Sequence, residues 1–554
     1  MEAGKDPTSA PSHARGSESV PLFRETIGAN LERTVQRFGD REALVSCAQD
    51  VRLTYTQLAA AVDELARGLL AAGIARGDRV GIWSPNCAEW VLVQYATAKI
   101  GVILVNINPA YRTSELEYAL RQSGCRMLIS APAFKTSDYR AMVAEVRPDL
   151  PELEQVVFLD TEDWDRLLAG GKRVSPGELD ALAAQLGPED PINIQYTSGT
   201  TGFPKGATLS HVNILNNGFF IGEGCRYTER DRVCIPVPFY HCFGMVLGNL
   251  ACTTHGAAIV IPAPAFEPEA TLNAVAAERC TSLYGVPTMF IAQLDHPHFA
   301  DHDLSSLRTG IMAGSPCPIE VMKRVIERMH MGEVGIAYGM TETSPVSTQT
   351  AFDDPLEKRV GTVGRVHPHV EIKIVDPADG ETVARGVSGE LCTRGYSVMG
   401  GYWNDPERTA EAIDQQGWMH TGDLATMDGE GYVNIVGRIK DMVIRGGENI
   451  YPREVEEFLY SHPDVADVQV IGVPDERYGE ELMAWVIPRG AATLDADQLR
   501  EFCHGKIAHY KIPRYVKLVD EFPMTVTGKV QKFKMREQAI DELGLGAWAG
   551  IRTA

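Results

Sequence analysis

Apolar residues recur at helical spacing through Leu58-Ala-Ala-Ala-Val-Asp-Glu-Leu-Ala-Arg-Gly-Leu-Leu70, which predicts a helix with one buried face. Arg79-Val-Gly-Ile-Trp83 follows a Gly-containing turn and has the short apolar run of a strand. The alternation continues from about Leu22 to Leu186, and Leu283-Tyr-Gly-Val-Pro-Thr-Met-Phe290 repeats it. It predicts a layered α/β architecture with parallel strands. After about Val436 the texture changes. Glu454 to Leu459 reads as a short helix stopped by Ser461-His-Pro, Ala466 to Val473 and Glu481 to Pro488 as strands, Asp495 as the cap of another helix, and Val516 to Val519 as a further strand. That is a compact α+β unit of normal domain size. The expected division is a flexible leader over 1–20, a large multi-subdomain α/β domain over 21–439 and a small mobile domain over 440–554.

Composition narrows the function. A net charge of −22 gives a surface that repels nucleic-acid phosphate, so any anionic ligand needs a local concentration of donors. No stretch of about 18 uninterrupted apolar residues predicts a membrane span; the nearest, Trp90 to Ile107, contains Gln94, Lys99 and Asn106. The first 20 residues are rich in Ser, Pro, Gly and Ala and lack the apolar core of a secretory signal. Eleven Cys without a CxxC pair fit neither a zinc site nor a disulfide framework, and a reducing cytoplasm is the expected compartment.

The chemistry begins at Tyr196-Thr-Ser-Gly-Thr-Thr-Gly-Phe-Pro-Lys-Gly206, which follows the strand-like Ile192-Asn-Ile-Gln. Gly199, Gly202 and Gly206 permit close backbone approach, Ser198, Thr200 and Thr201 add hydroxyls, and Lys205 adds a point charge, together a cradle for a polyphosphate. It is not a Walker A loop, because the G-x-x-x-x-G-K-[ST] spacing is absent. The string resembles the signature loop of the adenylate-forming superfamily, which contains acyl-CoA synthetases, luciferases and the adenylation domains of peptide synthetases.

Further segments carry the same resemblance in family order, from Tyr196 to Lys532. Pro236-Val-Pro-Phe-Tyr-His241-Cys-Phe-Gly244 is similar to the segment whose His lies between acyl pocket and nucleotide. Met312-Ala-Gly314-Ser315-Pro316 and Ala337-Tyr338-Gly339-Met340-Thr341-Glu342 look like the two adenine-pocket segments. There the resemblance implies that Tyr338 stacks on the base, Thr341 approaches the α-phosphate, and Glu342, with Ser198, holds Mg²⁺. Trp418-Met-His-Thr-Gly-Asp423 matches the turn whose Asp accepts both ribose hydroxyls, a task suited to an acceptor-only group. The resemblance places Arg438 near ribose and phosphates, the hinge at Lys440, and the channel for CoA at Gly446, Gly447 and Glu448. Pro523-Met-Thr-Val-Thr-Gly-Lys529 matches the motif of the catalytic lysine.

The implied fold is that of an adenylate-forming enzyme, and the implied activity is an AMP-forming acid–thiol ligase. Attack of a carboxylate on the α-phosphorus of ATP gives an acyl-adenylate and pyrophosphate, and CoA then displaces AMP. Rotation about Lys440 would withdraw Lys529 and bring Gly446-Gly447 to the site. No acid occurs between Cys242 and Ala251 to pair with a substrate ammonium, so an uncharged acyl tail is expected. Tyr240, His241, Met245, Tyr284, Val286, Met289 and Phe290 are its candidate pocket walls. The segments around the loop and His241 look most like medium-chain acyl-CoA ligases. A ligase that loads a carrier protein, a luciferase-like oxygenase and a non-catalytic nucleotide-binding module are the alternatives, and oligomeric state, monomer or homodimer, is open.

Overall fold

The computed structural model describes residues 10–197, 204–315, 317–445, 448–490, 494–525 and 530–548. Among them, strands form four sheets of more than two strands. The largest runs Arg365–Val366, Val346–Gln349, Glu333–Gly339, Thr309–Ala313, Ser282–Gly285, Arg232–Cys234, Ala258–Ile261, Glu42–Ser46, Val51–Thr54, with the six strands from Glu333–Gly339 to Glu42–Ser46 parallel. The second runs Gly401–Tyr402, Lys205–Ser210, Pro191–Thr197, Ile103–Asn106, Arg79–Trp83, Met127–Ser130, Gln155–Phe158, with the last five parallel. Ile103–Asn106 and Met127–Ser130 are buried at every position, the mark of parallel strands covered on both faces.

Helices fill the space between these sheets. Tyr55–Ala71 contains the expected Leu58–Leu70 run and begins at Thr54, whose hydroxyl accepts the Gln57 N–H while the Gln57 side chain accepts the Thr54 N–H. Its Leu58, Leu65 and Leu69 join Val80 and Leu104 of the second sheet and Leu44 and Ile259 of the first in one core. Truncating such a Leu to Ala costs about 2–5 kcal/mol.

The third sheet is antiparallel throughout: His13–Arg15, Val370–Val375, Gly389–Gly395, Met419–Met427, Val433–Arg438. It corrects the reading of residues 1–20 as a flexible leader. His13 pairs with Lys373, buried Ser12 donates to the Ala384 carbonyl at 3.0 Å, and the His13 ring packs edge-on to Trp418. Backbone pairing holds this strand, so its polar sequence carries no apolar signal. Residues 1–9 lie outside the described residues.

Val433–Arg438 ends at a turn containing Lys440, and Val443–Arg445 begins a different sheet with Glu448–Ile450, Gly479–Pro488, Val465–Asp475 and Tyr515–Leu518. The helix expected near Glu454 spans Pro452–Tyr460. Asp495 caps Ala496–Cys503 by accepting the Gln498 N–H at 2.8 Å. Deleting residues 1–15 uncovers the Val370–Val375 edge and the Trp418 face; loss of about 1 kcal/mol lowers the Tm of a domain this large by roughly 1 °C. Circular dichroism melts of the two forms check this.

Candidate active site

Pro191–Thr197 and Lys205–Ser210 pair antiparallel with Thr197 opposite Lys205, so the glycine-rich segment joins the two arms of a hairpin. Ser198, Gly199, Thr200, Thr201 and Gly202 lie outside the described residues. The hairpin's flanks meet Glu342. The Thr197 hydroxyl donates to Glu342 Oε1 at 3.1 Å, the Tyr402 hydroxyl donates to the same oxygen at 2.9 Å, and Lys205 Nζ lies 4.6 Å from the centre of the Tyr402 ring. Tyr402 reaches this point because Gly401–Tyr402 pairs with Lys205–Ser210, Ala207 opposite Tyr402, and Trp403 N–H donates to the Gly206 carbonyl at 2.7 Å. Glu342 is only 5% exposed, on a short turn, Thr341–Thr343, that also buries Thr341. Among the described residues its carboxylate makes no ion pair. A buried carboxylate held by neutral hydroxyls is suited to a cation brought by a ligand.

Thr309–Ala313 and Glu333–Gly339 are parallel neighbours, with Ala313 opposite Ala337. Gly314 and Ser315 thus leave one strand beside Tyr338, Gly339 and Met340 of the next, at the carboxyl edge where open α/β sheets bind ligands. Pro316 lies outside the described residues. The Tyr338 hydroxyl donates to Asp423 Oδ2 at 2.7 Å, and Arg438 Nε donates to Asp423 Oδ1 at 3.0 Å. Burial, then the Asp423 charge, push the Tyr338 phenol well above its ordinary range, so it remains a donor. The sheet supplies the Arg438 contact directly: Asp423 pairs with Arg438 across antiparallel strands.

His241 precedes an eight-residue π-helix, Phe243–Leu250, that is buried at every position. The Phe243 N–H donates to His241 Nδ1 at 3.2 Å, which places the proton of a neutral ring on Nε2. Side chains supply donors to the loosened backbone of the π-helix. Gln94 donates to the Met245 carbonyl, Tyr284 to that of Leu247 and Tyr95 to that of Asn249, at 3.1, 2.9 and 3.2 Å. Gly218 sits against this helix, and a Cβ there would lie 2.7 Å from Leu250 Cβ.

Met245, Tyr284, Val286 and Met289 share one core with Phe243, and partly buried Tyr240 packs against it. Phe290 does not join them. It packs with Leu283, Met312 and Met322 on the other face of the sheet, because adjacent helix positions point about 100° apart. Cys317 is inert: burial pushes its thiol up to about 12. Arg445 Nη2 pairs with Glu481 Oε1 at 2.7 Å at the base of a hairpin whose Gly446, Gly447 and Glu448 side chain lie outside the described residues, as does Lys529. The Gln531 N–H donates to the Pro523 carbonyl at 2.7 Å, which ties together the two ends of the lysine motif.

Motif reading did not reach Tyr402 or Glu390, although Gly400-Gly401-Tyr402-Trp403 is a usable signal. Thr197 and His420 lie inside quoted motifs that assign them no role. His420 Nδ1 lies 2.8 Å from Glu390 Oε2 and 3.5 Å from Cys392 Sγ.

The hairpin lies beside a buried carboxylate, and Tyr338, Asp423 and Arg438 form one hydrogen-bonded group near the ends of Glu333–Gly339 and Val433–Arg438. The profile of the AMP-binding enzyme family matches residues 31–403, and that of its C-terminal domain matches residues 454–529. The chain belongs to the AMP-binding enzyme family. YngI of Bacillus subtilis (strain 168), a candidate acyl-CoA synthetase by its name, is 50% identical over 545 residues, 95% of this chain and 99% of that one. The mitochondrial medium-chain acyl-CoA ligase ACSF2 of Danio rerio is 45% identical over 559 residues, 97% and 92% of the two chains. A crystal structure of the anthranilate CoA ligase AuaEII in complex with anthranoyl-AMP superposes with a TM-score of 0.86 at 28% identity, covering 95% and 99%. No helix among the described residues is long and apolar enough to cross a membrane.

Cys392 and Glu390 raise the His420 pKa from 6.5 to about 10. A raised histidine pKa contributes stability that is complete below pH 6.5 and lost as pH rises through about 10. Histidine NMR is expected to show His420 still protonated at pH 8, and H420Q is expected to remove that part of the alkaline destabilisation; titration near pH 6.5 refutes the assignment.

Proposed function

We propose that this AMP-forming acyl-CoA synthetase acts on medium-chain fatty acids. The chain is an acid–thiol ligase that joins a carboxylic acid to CoA with ATP through an acyl-adenylate. The observation that supports the substrate reading is the buried cluster of Met245, Tyr284, Val286 and Met289, apolar apart from one tyrosine hydroxyl that donates to the Leu247 carbonyl. No carboxylate lies between Cys242 and Ala251 to hold an amino acid's ammonium. ACSF2, at 45% identity, is named for medium-chain acids.

The two reactants are anions, and the site has to offset their repulsion. In this reading Ser198, Gly199, Thr200, Thr201 and Gly202 donate to the phosphates, and Lys205 adds positive charge. Gly314, Ser315, Pro316, Gly339 and Met340 border the adenine, Tyr338 lies along the base, and Asp423 with Arg438 takes the ribose. The residues present fit Mg²⁺: Glu342 offers a buried hard oxygen already oriented by Thr197 and Tyr402, with Ser198 as a further ligand. When bound, the ion supplies charge neutralisation and polarises phosphate oxygens. Thr341 approaches the α-phosphate, His241 lies between the acyl pocket and the nucleotide, and Lys529 reaches both the carboxylate and the α-phosphate. The small domain, 440–554, then turns about Lys440 so that Gly446, Gly447 and Glu448 face the pantetheine thiol. Eleven cysteines with no CxxC pair among them support a cytoplasmic location.

Pyrophosphate release is measured over straight-chain, branched and aromatic acids, with and without CoA. Medium straight chains are expected to give the highest kcat/KM and free acyl-CoA; preference for aromatic acids, or transfer only to a carrier protein, refutes the reading. K529A is expected to slow adenylate formation by about 10²–10³-fold, the cost of removing one preorganised donor. E342Q is expected to abolish the Mg²⁺-dependent part of ATP's thermal stabilisation, read by melting with and without the metal.

A further inference from the structure

The strands Gly389–Gly395 and Met419–Met427 are out of step beside Asp423. Cys392 pairs with His420 and Glu390 with Leu424, so Thr421, Gly422 and Asp423 bulge opposite Leu391 alone. Such a bulge re-aims a side chain. The Thr421 hydroxyl donates to the Leu391 carbonyl at 2.6 Å and accepts the Asp423 N–H at 3.1 Å. Gly422 has φ +71°, a conformation other residues rarely adopt. Its N–H donates to Glu390 Oε1 at 3.0 Å, and its carbonyl accepts the Ile439 N–H at 3.0 Å, one residue before Lys440.

Glu390 is therefore bonded on both oxygens. Oε1 holds the apex of the bulge, and Oε2 holds His420 Nδ1 at 2.8 Å. The other imidazole nitrogen lies 4.0 Å from Asp414 Oδ2, and Asp414 Oδ1 accepts the Gln416 and Trp418 N–H groups. Glu390, Cys392 and His420 carry atoms that metals accept, but their close contacts are already made among themselves and with the bulge. What emerges from this frame is the Asp423 carboxylate, each oxygen meeting one donor among the described residues, Tyr338 or Arg438. An ionised carboxylate offers about four acceptor positions, so two remain for a vicinal diol.

We propose that Glu390 is a positioning residue for nucleotide recognition: through the Gly422 N–H it fixes the bulge that aims Asp423 at the ribose, with His420 as its counter-ion. The inference rests on reading Asp423 as the ribose acceptor. It separates Glu390 from a merely structural carboxylate, because loss of aim removes sensitivity to the hydroxyls themselves, whereas loss of stability weakens all nucleotides alike.

The test compares ATP with 2′-deoxy-ATP and 3′-deoxy-ATP in acid-dependent pyrophosphate release by the full-length wild type, E390A and E390Q. Wild type is expected to prefer ATP by about tenfold or more in kcat/KM, the scale of one hydrogen bond to a charged group. In E390A the KM for ATP is expected to rise about tenfold with kcat changed less than about threefold, and the preference over either deoxynucleotide to fall below about threefold. E390Q keeps an oxygen acceptor for Gly422 and is expected to recover most of the preference. If wild type does not distinguish ATP from the deoxynucleotides, the ribose reading of Asp423 fails and the proposal with it. If wild type discriminates and a folded E390A discriminates equally, Asp423 keeps its role and the proposal for Glu390 is overturned. Should E390A not fold, E390D decides: its carboxylate is one methylene short of Gly422, so loss of preference supports the proposal and undiminished preference overturns it.

Discussion

Two anions must meet on a protein that is itself anionic. A net charge of −22 gives no general attraction for a triphosphate or a carboxylate, so every favourable contact has to be local and preorganised. The large domain supplies such locality by ending parallel strands side by side. Tyr338 and Gly314 come from neighbouring strands, Asp423 and Arg438 from an antiparallel pair, and Glu342 from a turn closed by hydroxyls of two other strands. Within this edge one buried carboxylate is held by neutral donors and another by a cation and a phenol.

The same edge is joined to the small domain by very little chain. Arg438 still belongs to the sheet that holds Asp423, while Val443, five residues later, belongs to another sheet. Between them the Gly422 carbonyl accepts the Ile439 N–H. The bulge that presents Asp423 is thus bonded to the residue before the turn, and Asp423 and Arg438 both precede that turn in the chain.

Much of this was legible before the structure. Leu58–Leu70, Arg79–Trp83 and Asp495 announced their elements through apolar spacing and capping chemistry, which are local signals. Asp423, Arg438 and Glu342 could be singled out because their motifs are contiguous, and the structure places them on a strand bulge, at a strand end and on a short turn. The contacts of Tyr402 and Thr197 with Glu342 could not be read in this way: these residues are 60 and 145 positions from it in sequence, and strand pairing alone brings them to it. The strand at His13–Arg15 was hidden because its partner is a backbone edge, which leaves no mark in side-chain pattern. Phe290 was placed with Met289 because helix phase cannot be read from a short apolar run, and the sheet separates the two.

The chain activates a carboxylate by adenylation before any thiol takes part. Isotope exchange between radiolabelled pyrophosphate and ATP, measured without CoA, isolates that step. The expected exchange requires a medium-chain acid and Mg²⁺ and is nearly abolished in K529A. Exchange that appears only once CoA is added, or that ignores the acid, overturns this order of events.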